Sequence, residues 1–259
     1  MDTGKGANTV ISYLHHYLEN YGINAVTVHL NADNCTGQNK NNAVMQYLAW
    51  RVLTDRNRSI KISFLPVGHT KFSPDWCFGL IKQRFRKTDV GCLEDIATVV
   101  DESSHVNVPQ LVGTADGRVI VQSFDWAGFL NPFFKAIKDI KKIHHFTFEE
   151  QSLRGGDLLI QTTCTETPQS VRFLRDTSIS LPSSMPPIIP PKGLTADRQW
   201  YLYDRIREFC PDNCKDKACP KPSMPKSVTA ARNIPEAPQG SSSDEFSPPQ
   251  KRRKTTTRN

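Results

Sequence analysis

A chain of 259 residues, 37% of them hydrophobic, is long enough to bury one substantial core. Its formal charge is +7, but the last forty residues hold +5 of it, so the basic excess by itself does not mark the folded part as a nucleic-acid grip. No run of about 18 apolar residues exists, so neither a membrane span nor a membrane partner is expected, and the seven scattered cysteines read as reduced thiols rather than a disulfide framework.

In chain order, Val10, Leu14, Tyr17, Leu18 and Tyr21 recur at the spacing of one helix face, which predicts a helix over 7–21 closed by Gly22. The β-branched run Ala25 to Leu30 predicts a buried strand, followed by a polar loop from Asn31 to Asn42. Val44, Tyr47, Leu48 and Val52 mark a second helix, and Ile60 to Leu65 alternates as a strand and stops at Pro66. A third helix starts at Ser73, a natural N-cap, with Pro74 and Asp75 in its first turn and Phe78, Ile81 and Phe85 as its apolar face. Helices alternating with strands predict an α/β layer whose neighbouring strands run parallel. This first unit spans 1–95.

Residues 96–180 read as a small α+β continuation, with strands at Arg118 to Gln122 and Asp157 to Gln161 and a helix over Trp126 to Ile143 interrupted early by Pro132. Thirteen of the 18 prolines fall after residue 180, so 181–219 reads as an extended connector holding a short helix near 195–209 and a cysteine cluster. The basic segment 220–259 has too little apolar surface to offset the entropy of ordering and is expected to be disordered.

Both polar stretches, Asn31 to Asn42 and Val67 to Asp75, leave the C-terminal ends of strands, where open α/β sheets place their sites. Asp33 and Asp75 are therefore expected to face one crevice. Each has an ordinary reading as well: an Asp at a strand end forms turns, and an Asp in a first helical turn meets the helix dipole. His69 equally suits a loop carbonyl, and Asn34, Gln38, Asn39 and Lys40 either meet phosphates or are simply solvated.

The strings His29 to Asn42 and Pro66 to Asp75 resemble a transposon-derived family designated only as a domain of unknown function, DUF7869, most closely over residues 4–90 and more weakly to about 220. That family is in turn similar to the RNase H-like superfamily of DDE transposases and integrases. The resemblance implies a core in which three acids hold two divalent ions, Mg²⁺ or Mn²⁺, to cleave and join DNA. Two such ions stabilise the attacking and leaving oxygens of an in-line displacement. By this resemblance Asp33 is the second acid and Asp75 the third, both catalytic and metal-ligating, with His69, Lys40, Asn34, Gln38 and Asn39 in support. The first acid belongs on the first strand of a three-stranded meander, and the six residues before the first helix are too few to form one. The first ninety residues thus read as an RNase H-like core lacking its first three strands. The edge of the Ala25 to Leu30 strand is left unpaired and the chain is expected to be catalytically incomplete. The alternative is a noncatalytic nuclear module that contacts protein or DNA. A thiol or serine hydrolase lacks any nucleophile signature here.

Cys210, Cys214 and Cys219 offer three thiols where structural zinc takes four ligands, so they read either as a zinc site or as plain reduced cysteines. Lys251, Arg252, Arg253 and Lys254 have the form of a nuclear import signal read by an import receptor, or of an ordinary basic tail. The sequence gives no oligomeric state.

Overall fold

Ile60, Ile62 and Phe64 alternate along one strand face and are all buried, and a neighbouring strand returns Phe146 and Phe148 to the same face. The computed structural model describes residues 6–21, 26–65, 73–114 and 116–226. Its strands are β1 (Thr27–Ala32), β2 (Ser59–Phe64), β3 (His145–Glu149), β4 (Asp157–Gln161) and β5 (Gln169–Arg172), in that spatial order in one five-stranded sheet. β1 and β2 are parallel; every later neighbour is antiparallel, with Ile60 opposite Phe148 and Ile62 opposite Phe146. β1 stands at the sheet edge and pairs only with β2 among the described residues.

The helices are α1 (Ala7–Asn20), α2 (Asn42–Leu53), α3 (Ser73–Phe85), α4 (Leu93–Ser103), α5 (Trp126–Leu130), α6 (Glu150–Arg154), α7 (Ala196–Tyr201) and α8 (Lys215–Ala218). α2 is the crossover that makes β1 and β2 parallel. Every residue from Val44 to Val52 is buried, because α2 meets the sheet as well as α1, α5 and α6. Its rings interlock with those of other elements: Trp126 lies 4.8 Å from Tyr47, 5.1 Å from Trp50 and 5.0 Å from His15, centroid to centroid. Arg51, wholly buried, donates to Asn57 Oδ1 at 2.6 Å and to Glu19 Oε1 at 2.8 Å, which satisfies a charge that would otherwise be costly inside.

The α/β class and the parallel pair agree with the sequence, while the downstream half departs from it. One sheet and one core run through both 1–95 and 96–180, since β3, β4 and β5 extend the sheet beyond β2. Arg118 to Gln122 is not a strand: Val119 makes a single bridge to Gly113, and the N–H groups of Ile120 and Val121 both turn to the Val112 carbonyl. The helix expected over Trp126 to Ile143 lasts only to Leu130, and Pro132 with a 3₁₀ turn at Ile140–Lys142 replaces the rest. The first strand lies two residues later than expected, at Thr27–Ala32. Of the segment read as a disordered tail, 220–226 is placed: Trp200 Nε1 donates to the Met224 carbonyl at 2.9 Å, and Lys226 pairs with Asp204 at 2.6 Å. Residues 227–259, with Lys251, Arg252, Arg253 and Lys254, lie outside the described residues.

No described helix is long and apolar enough to cross a membrane.

Candidate functional site

β1 and β2 end side by side. The N–H of Leu65 donates to the Ala32 carbonyl at 3.0 Å, and Asn34 Nδ2 donates to the Leu65 carbonyl, so the two loop starts are bound together. From there the 31–42 loop curls around one acceptor. The Cys35 carbonyl takes N–H bonds from Gln38, Asn39 and Lys40 at 3.2, 2.8 and 3.0 Å. Asn41 then caps α2 by accepting from the Val44 N–H at 3.1 Å, while its amide donates to the Thr36 and Gln38 carbonyls.

Asp33 is exposed at the mouth of this loop. Its Oδ1 accepts from the Cys35 N–H at 3.1 Å and from Asn39 Nδ2 at 2.8 Å, so the turn-forming reading accounts for one oxygen. No hydrogen bond from the described residues reaches Oδ2. Opposite it, α3 brings Pro74, Asp75 and Phe78 over the strand ends. A cavity of about 490 Å³ lies between, lined by Val10 and Leu14 of α1, Leu30 to Asp33, Asn39, Val44, Ile62, Pro74, Asp75 and Phe78. The two acids thus meet one crevice at the C-terminal ends of parallel strands, the place such sheets use for ligands.

The supporting residues divide differently. Lys40 is only 1% exposed; its Nζ donates to Asn34 Oδ1 at 2.8 Å and to the Lys141 carbonyl at 2.9 Å, and lies 5.1 Å from the Phe64 ring centre. Burial lowers its pKa below the ordinary lysine value. Its ammonium is therefore spent inside, holding the loop to the 141 turn, rather than offered to a phosphate. Asn34 and Asn39 likewise hold the loop and Asp33, and Gln38 is half-buried beside them. His69 lies outside the described residues.

For a hard divalent ion, two carboxylates at one cavity are the right donors in kind. They are two in number: among the described residues the cluster of three ligating side chains within 4.8 Å is elsewhere, at Cys92, Asp95 and Cys214. The cysteines expected to act together are split there. Cys210 and Cys219 lie 3.8 Å apart, Sγ to Sγ, while Cys214 joins Cys92 and Asp95 at the start of α4. Sequence reading missed Cys92, although its position just before the acidic first turn Glu94 and Asp95 marks it as a helix cap.

No curated protein and no solved structure matches this chain. The profile of one family, described as Domain of unknown function (DUF7869), matches residues 2–166, more than half the chain and the whole stretch from α1 through β4. The chain belongs to that family.

Proposed function

We propose that this chain carries part of a transposon-derived, RNase H-like core whose chemistry is metal-dependent cleavage and strand transfer of DNA. The observation that carries the reading is the convergence of Asp33 and Asp75 on one cavity at the ends of the parallel pair. The order α1, β1, α2, β2, α3 supports it, as does the edge of β1, unpaired among the described residues, where a further strand with a third acid would pair. Bound Mg²⁺ or Mn²⁺ would supply Lewis-acid stabilisation of phosphate oxygens. Asp33 and Asp75 would hold it, with Asn39 fixing the Asp33 carboxylate and Asn34 fixing the loop. Two acids alone leave the site incomplete, so cleavage requires a third carboxylate on a strand against β1.

One observation favours the noncatalytic alternative, a nuclear module that contacts protein or DNA, in its protein-contacting form: Lys40 is the only cation of the 31–42 loop and it is buried, so that loop offers DNA no positive charge. The two readings separate in one assay. With an aspartate-bearing strand added before α1, Mn²⁺-dependent cleavage of DNA is expected, and Asp33→Asn and Asp75→Asn should each abolish it while the melting temperature stays within about 2 °C. Cleavage retained in either variant contradicts the assignment. The tail completes the proposal: replacing Lys251 to Lys254 by alanine should move a tagged chain from nucleus to cytoplasm, and an unchanged distribution would reject import through these residues.

A further inference from the structure

We infer that Cys92, Cys210, Cys214 and Cys219 together form a structural zinc site that clamps the C-terminal module to α4. The first ground is the module's lack of a core. Across 191–226 only Cys214, Cys219 and Pro222 are buried, whereas the aromatic and aliphatic side chains, Phe209 at 78% exposure among them, are not. A segment this poor in buried apolar surface needs a covalent or metal staple to hold one structure.

The second ground is geometry. Cys214 is drawn to Cys92, 122 positions earlier in the chain, within a cluster whose ligating atoms all lie within 4.8 Å. The backbones approach closely enough there that a Cβ on Gly91 would lie 2.9 Å from the Pro211 ring and 3.0 Å from Cys214 Cβ, so the contact is built around a glycine. Cys210 and Cys219 sit 3.8 Å apart, and a tetrahedron with Zn–S bonds of about 2.3 Å has S–S edges of about 3.8 Å. The Cys210–Cys219 pair already spans one such edge, Cys92 and Cys214 lie within 4.8 Å of each other, and side-chain rotation within the short turn 210–219 would be needed to bring the two pairs onto one ion. Asp95 is not the ligand: its Oδ2 already accepts from the N–H groups of Gly91 and Cys92 at 2.8 and 3.0 Å, as a helix cap.

Binding converts four thiols to thiolates, releases four protons and leaves a net charge of −2 on the cluster. Arg207 braces the same turn, donating to the Lys215 and Cys219 carbonyls at 2.8 Å each while pairing with Asp216 at 2.6 Å. The module is thereby tied to α4, which packs on α3, the helix that carries Asp75.

The test is zinc content and ligand spectroscopy on the full chain under reducing conditions. One zinc per chain is expected, with Co²⁺ substitution giving tetrahedral bands and thiolate charge transfer. Cys92→Ser and Cys210→Ser should each weaken binding by roughly tenfold or more, while Asp95→Asn and the exposed Cys35→Ser should keep one zinc. The sheet's circular dichroism serves as the folding control, since no ligand lies in the sheet. Zinc retained at wild-type affinity in Cys92→Ser, no zinc in chain with free thiols, or a Cys210–Cys219 disulfide in its place would each overturn the site.

Discussion

α2 and α3 each follow a strand of the parallel pair, and each lies beside one of the two acids, yet they are held in opposite ways. α2 buries every residue from Val44 to Val52, and the Asp33 loop feeding it is pinned by Asn34, Asn41 and the buried Lys40. α3 buries nothing: Trp76 is 60% exposed, Phe78 61% and Phe85 48%, and its main neighbour is α4, across an apolar groove that includes Leu93, Ile96 and Val100. One acid is therefore fixed by the core, and the other rides on a helix pair that the core does not fix.

The contrast should appear first in the centre of the core. Trp126→Ala removes a wholly buried ring packed on Tyr47, Trp50 and His15 and should cost about 3–5 kcal/mol in denaturant unfolding; a loss under about 1 kcal/mol would dissolve the distinction. The same region should carry a pH signature. Burial holds the His15 pKa down at about 4, below its ordinary 6.5, so an unfolded chain takes up the proton before the folded one does. The resulting stability is complete above pH 6.5 and is lost as pH falls toward 4, by roughly 2–3 kcal/mol. His15→Gln should flatten that part of the profile, and an unchanged slope would refute its origin.

Smaller effects are expected at the loop. Lys40→Met keeps the stem but leaves the Asn34 side chain and the Lys141 carbonyl each short of a donor, for a cost of about 1–3 kcal/mol and faster amide exchange at Cys35 to Lys40. The smallest belongs to α3: Phe78→Ser should shift stability by no more than about 0.5 kcal/mol, and a loss several times larger would show that α3 is anchored after all.

The parallel pair was legible because its signals are local. Strand runs ending at a polar loop and at Pro66 bracket a helix pattern, and the crossover then dictates parallel pairing. The α2 stripe understated burial, since Gln46 and Arg51 look like a solvent face and are instead buried, Arg51 through its contacts to Glu19 of α1 and to Asn57. α3 misled the other way: its apolar spacing predicts a core face, but periodicity reports a sticky surface without saying what covers it. Asp33 and Asp75 were legible as strand-end and helix-start acids, and their shared cavity followed from topology. Lys40 was not, because a lysine in a polar loop gives no local sign that a carbonyl 101 residues away will take its ammonium. Cys92 and Cys214 were invisible as partners for the same reason of distance.

If Asp33 and Asp75 hold one metal ion between them, Mn²⁺ titration of the isotope-labelled chain, followed by paramagnetic line broadening, reads it at both acids. Low Mn²⁺ is expected to broaden the amides of Asp33 to Cys35 and of Asp75 to Cys77 together, and Asp33→Asn or Asp75→Asn to remove both effects. Broadening confined to one acid, or unaltered by either substitution, would contradict it.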